Sequence, residues 1–213
     1  AVVWNEPTVG QLYARTYDAS GALSGTRFPL SPSGATGRPT AVGLGSGFAV
    51  SWRDGTNQVR FARYDATGAL LGSEQVVTPA TGGGTNAALD WSGEQYGVAW
   101  NQGGSVRLQR LLSSGLELGA ESTLGSSTQG PGPALRWAGS GWALVWRSGG
   151  NLFFGRVSPT GATAVGPVQL TTSGGVANQF QLHWHGDKLG LAWTEQRAGD
   201  PPGQDVYFTV LDA

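Results

Sequence analysis

Cysteine is absent from the 213 residues, and so is methionine. Without cysteine the chain can form neither disulfides nor thiolate metal sites, and it holds no thiol nucleophile. Without an initiating methionine the sequence reads as a processed or cut chain from which any signal peptide has gone. Charge is sparse: Asp, Glu, Lys and Arg make up 13% of residues and nearly cancel, at a net −1. Lys188 is the only lysine beside twelve arginines, a bias we read as the mark of a GC-rich bacterial genome. A nucleic-acid partner would require clustered basic groups to displace counterions, so none is expected. No apolar run approaches the length of a membrane span. Helix signals are missing too, because no window places apolar residues at i, i+3, i+4 and i+7 between caps.

What is present is repetition. Trp4, Trp52, Trp100, Trp146 and Trp193 stand 48, 48, 46 and 47 residues apart. Each ends a short β-rich segment: Ala1–Trp4, Phe48–Trp52, Tyr96–Trp100, Trp142–Trp146 and Leu189–Trp193. Positions −4, −2 and 0 share one face of such a segment, as Phe48, Val50 and Trp52 do. A second strand follows a polar turn, at 12–17, 59–64, 106–111, 152–157 and 206–211. Then comes a glycine-bounded hairpin, as in Asp65-Ala-Thr-Gly68, where Asp starts the turn and Gly takes positive φ. A short third strand is expected at 27–30, 74–78, 121–124 and 167–171. A fourth is expected at 39–44, 87–91, 134–137 and 179–184, after a loop rich in Ser, Thr, Gly and Pro.

Four strands in about 47 residues match a propeller blade. The spacing therefore predicts an all-β, five-bladed β-propeller over 1–213, in units 1–47, 48–95, 96–141, 142–188 and a partial 189–213. A sandwich is the rival, but it does not require register this regular. Eighteen strands are expected where five full blades have twenty. The first blade then lacks its inner strand and the last its outer one, and such edges invite pairing with another chain. Self-association through these incomplete blades is one expectation.

The Val-Ser-Trp52 and Val-Ala-Trp100 strand ends, with Arg60-Phe-Ala-Arg-Tyr-Asp-Ala-Thr-Gly68, resemble the bacterial four-stranded propeller repeats of secreted and surface proteins. The likeness implies a propeller fold and an extracellular or cell-surface location. WD and kelch signatures do not occur in register. The repeat length is similar to that of the tachylectin type of five-bladed lectin, with a different blade signature.

His183 and His185 form a His-x-His that two metal ligands could use. The slot argues against it, since His183 aligns with Asp90 and Arg136. No metal or cofactor is expected. Catalysis is not expected either: no Gly-x-Ser-x-Gly elbow is present. Asp90 alone among carboxylates lies on an innermost strand, and glycoside hydrolysis uses a pair. The candidate ligand-binding residues are those of the turns after the repeating Trp. They are Arg53, Asp54, Asn101, Gln102, Arg147, Glu195, Gln196 and Arg197, flat hydrogen-bonding groups suited to sugar hydroxyls or a peptide. The longest such loop, Thr194–Gln204 with Pro201-Pro202, breaks the repeat. The sequence reading is a non-catalytic extracellular binding or scaffold module for a protein or glycan ligand. A lectin-like propeller and an accessory domain of a larger secreted enzyme are its alternatives.

Overall fold

The computed structural model describes every residue except 19, 31–33, 79–83, 85–86, 129, 173–174, 198, 200–202 and 213. All described regular structure is β. The first sheet holds β1 (Val2–Glu6), β2 (Gln11–Tyr17) and β3 (Leu23–Pro29). The second holds β4 (Ala35–Leu44), β5 (Gly47–Asp54), β6 (Val59–Asp65) and β7 (Gln75–Val76). The third holds β8 (Ala88–Trp91), β9 (Gln95–Gln102), β10 (Ser105–Leu112) and β11 (Ser122–Ser126). The fourth holds β12 (Ala134–Trp137), β13 (Trp142–Ser148), β14 (Asn151–Val157) and β15 (Thr163–Gln169). The fifth holds β16 (Val176–His185), β17 (Lys188–Gln196) and β18 (Asp205–Asp212).

Each sheet is an antiparallel meander in chain order, as tight glycine turns dictate. The hairpin turn is fixed by its first residue. Asp65 Oδ1 accepts from the backbone N–H groups of Thr67 and Ala69, at 2.8 and 2.9 Å, and Asp18 does the same in the first sheet. The inner strands β4 and β16 run longer than expected, because pairing resumes beyond an irregularity, between Thr36 and Thr40 and between Asn178 and Phe180. The three-stranded first and fifth sheets match the expected incomplete blades.

The sheets stand side by side in sequence order, with β1 against β4, β4 against β8, β8 against β12 and β12 against β16. Among the described residues, hydrogen bonds link an inner strand to the neighbouring sheet. Thr40 donates to the Ala87 carbonyl at 2.7 Å, and Asp90 accepts from the Trp137 N–H at 2.7 Å. Asp90 is thus spent on holding neighbouring sheets together.

The core lies in the seams. The face carrying the repeating Trp packs on the opposite face of the preceding sheet. Phe48, Val50, Trp52 and Tyr64 bury against Leu12 and Ala14. Tyr96, Val98 and Trp100 bury against Val59 and Phe61, the Phe61 and Tyr96 rings lying 4.9 Å apart. Trp142, Leu144 and Trp146 bury against Val106 and Leu108, and Leu189, Leu191 and Trp193 against Leu152 and Phe154. One large ring removes ~150–250 Å² from water, worth up to roughly 4–6 kcal/mol at ~25 cal/mol/Å². A single sheet cannot bury both faces alone, so the repeat is what makes the core.

Candidate functional site

The inner strands and the loops leading into them enclose a cavity of about 740 Å³. Its wall alternates with the strands. Thr40 of β4, Ala88 of β8, Arg136 of β12, and Asn178, Gln179 and Gln181 of β16 line it, with Arg38 and Gln204 at the sides and Gly130 to Pro133 below. Leu135, Phe180 and Leu182 also border the cavity, although all three are buried in the seams. The polar groups are guanidinium and carboxamide, planar donors and acceptors with several hydrogen bonds each. No carboxylate lies among the described lining residues. Gln179 sits at φ +35°, in the left-handed region unusual for a residue with a side chain, at the irregularity of β16.

The residues expected from sequence sit beneath this cavity or away from it. The reason is geometric: residues i and i+2 share a strand face, so the second residue after each Trp lies beside its indole. Gln102 accepts the Trp100 indole N–H at 2.9 Å, and Glu195 accepts that of Trp193 at 3.2 Å. Glu195 is fully buried and also accepts from Arg197 Nε at 3.1 Å, while the Arg197 guanidinium lies 3.6 Å from the centre of the Tyr207 ring. Asp54 is buried and takes N–H groups from Thr56 and Gln58 and the Arg60 guanidinium, the last at 2.5 Å. Burial pushes its carboxyl up, but the hydrogen bonds from Thr56, Arg60 and Gln58 outweigh this and hold it below 3.8, its ordinary value. Arg53 donates to Thr36 at 3.2 Å. These groups are engaged within the fold: Asp54 in its own turn, Arg53 on β4, Gln102 and Glu195 beside an indole, and Arg197 on Tyr207.

Asn101 and Arg147 do support the cavity. Asn101 donates to the Pro131 carbonyl at 3.5 Å, and Arg147 donates to Asn178 Oδ1 at 2.6 Å. Arg147 runs so close to Gly130 that a Cβ there would meet its Nη2 at 2.1 Å, so a larger residue would displace the guanidinium. Gln196 is exposed at the end of β17. Pro201 and Pro202 lie outside the described residues. His183 and His185 are both exposed, and no group of three or more His, Asp or Glu gathers among the described residues. Arg38, Arg136, Asn178, Gln179, Gln181 and Gln204 were missed by the sequence reading. The signal that points to three of them is the polar residue alternating with apolar ones on the innermost strand.

No family model matches the chain, and no curated protein does. Solved structures do. A mutant of AofleA from Arthrobotrys oligospora is similar over 98% of this chain and 64% of its own, with 10% identity and a TM-score of 0.63. An α-L-arabinofuranosidase of Clostridium thermocellum is similar over 82% of this chain and 68% of its own, at 10% identity and a TM-score of 0.54. A glycoside hydrolase family 43 arabinoxylan arabinofuranohydrolase of Bacillus subtilis, in complex with cellotetraose, matches over 90% of this chain and 57% of its own, at 12% identity and a TM-score of 0.50. The chain spans from 26% to 68% of the length of such solved chains.

The chain is an all-β propeller. At these identities the likeness establishes architecture and no activity. It does correct one expectation. The same architecture is carried by glycoside hydrolases, so the propeller form gives no support to a non-catalytic scaffold for protein interaction. The expectation failed because it rested on regular repeats and few acids, and glycoside hydrolases share the architecture.

Proposed function

We propose that this propeller is the saccharide-binding part of a larger secreted glycoside-processing enzyme, with the channel cavity as the binding site. The observation that carries the reading is the lining: Arg38, Arg136, Asn178, Gln179, Gln181 and Gln204 around about 740 Å³, with Arg147 fixing Asn178 from below. Planar groups match vicinal hydroxyls: a carboxamide accepts from one and donates to the next, and a guanidinium donates to the oxygens of both. Bond cleavage by two carboxylates requires an acid and a second carboxylate flanking the glycosidic bond. The described lining offers neither, so cleavage belongs to a site elsewhere in the enzyme. The neighbours' names suggest arabinose-bearing plant polysaccharide as the first ligand class to try.

Affinity electrophoresis in gels containing arabinoxylan, followed by calorimetry with arabinoxylan oligosaccharides, tests this. Retardation is expected, and Arg136→Ala and Gln181→Ala should each weaken binding about tenfold, the equivalent of ~1.4 kcal/mol. Free migration in arabinoxylan, arabinan and xyloglucan alike would reject the reading.

A further inference from the structure

One position of the inner strand holds a different side chain in every sheet that has the strand. It is fixed by its partner, the third residue before the repeating Trp. Val42 pairs with Ala49, Asp90 with Gly97, Arg136 with Ala143 and His183 with Gly190. Asp90 spends its carboxylate on the next sheet, where Oδ2 accepts the Trp137 N–H. Arg136 makes no such link among the described residues. Its Nη1 donates at 2.8 Å to the carbonyl of Leu135, the preceding residue of its own strand.

Charge sets Arg136 apart as well. Arg27, Arg60, Arg107 and Arg197 each meet a carboxylate, from Glu6, Asp54, Glu121 and Glu195. No ion pair among the described residues includes Arg136. Over the whole chain 14 acidic residues balance 13 basic ones. The cavity departs from that balance, since Arg38 and Arg136 both border it and no carboxylate does so among the described lining residues.

A guanidinium carries several N–H donors in a planar fork, and one bond to a carbonyl leaves most of them to water or a ligand. Arg136 is half-buried. A neutral ligand that covered it would strip water from a cation and return no opposite charge. An anion offsets that loss. Of the anionic groups that saccharides carry, the carboxylate of a uronate is planar, as the fork is, and accepts two parallel N–H bonds. The carboxamides of Asn178, Gln179, Gln181 and Gln204 suffice for neutral hydroxyls.

We propose that the saccharide held in the channel is acidic and that Arg136 binds its uronate carboxylate, an inference that rests on the channel being a saccharide site. Arg136 then selects the charged sugar, while the carboxamides around it hold the hydroxyls.

Calorimetry with two forms of one polymer tests this. The first is arabinoxylan bearing glucuronate side groups; the second is the same polymer with its carboxyls reduced to primary alcohols. The unaltered chain should bind the acidic form about tenfold more tightly. The preference should shrink as salt is raised. Arg136→Gln keeps a planar donor without the charge. It should bind the reduced polymer as the unaltered chain does and lose the preference. Acidic polymer bound no more tightly than reduced polymer by the unaltered chain overturns the proposal and leaves the saccharide reading standing. Binding of neither form overturns both. A preference that survives in Arg136→Gln, or a loss in that variant shared equally by the two polymers, overturns the assignment to Arg136.

Discussion

Phe61 and Phe208 occupy the same position in two copies of one motif. Phe61 is sealed between two sheets, with the Tyr96 ring 4.9 Å away, and Phe208 faces outward from the fifth sheet. Both follow a valine by two residues, and both lie opposite a small residue of the neighbouring strand, Ser51 and Ala192. Nothing in either local sequence separates them. The difference lies in what stands beside the sheet. A strand pattern therefore specifies which face seeks a cover, and the arrangement of the whole chain decides whether it has one.

The largest effect should come from removing a seam tryptophan. Trp100→Ala should cost ~3–5 kcal/mol by chemical denaturation, through lost area and the cavity left behind. Phe61→Ala should fall in the same range of ~3–5 kcal/mol. Phe208→Ala, measured in dilute protein, should cost under about 1 kcal/mol, because little area leaves water at that position. Equal losses for the two phenylalanines would break the comparison.

Two glycines sharpen it with smaller changes. Gly97 and Gly190 each stand three residues before the repeating Trp. A Cβ on Gly97 would meet the Trp142 ring at 2.8 Å, whereas one on Gly190 would come no nearer than 3.3 Å, to the exposed Phe208 ring. Gly97→Ala should therefore destabilise by ~1–3 kcal/mol and Gly190→Ala by under about 0.5 kcal/mol, read as shifts in denaturation midpoint.

The smallest effect depends on pH. Asp54 is held below its ordinary value of 3.8 in the folded protein. Its contribution is complete above that value and is lost as pH falls through the lower folded value. Asp54→Asn should cost about 1–2 kcal/mol at neutral pH and flatten the decline of stability below about pH 4. A variant whose acid limb matches that of the unaltered protein would show that Asp54 does not carry this dependence.

The period of the tryptophans made the architecture legible, because a seam residue must recur wherever a sheet recurs. Eighteen strands follow from it, but β3, β4, β15 and β16 each begin three or four residues earlier than expected, β4 and β16 because pairing resumes past an irregularity. The site was far less legible. Gln102 and Glu195 look like exposed turn residues in sequence, yet strand geometry lays them beside Trp100 and Trp193 as indole acceptors. Arg38 reaches the cavity from the early part of β4 that the expected strand left out, and Gln204 from the end of the loop that breaks the repeat. Gln179 lines it at a register shift, which depends on pairing between distant strands.

Because the chain contains no cysteine, a single thiol reports on any chosen position. The most direct test of the seam account places one at each copy of the same position, as Leu12→Cys, Val59→Cys, Val106→Cys, Leu152→Cys and Val206→Cys, and measures its rate of modification in dilute native protein. The account predicts four thiols that react only as fast as the sheets separate, and a Val206→Cys thiol that reacts at once. Five equally protected thiols, or a Val59→Cys thiol as reactive as Val206→Cys, would contradict it.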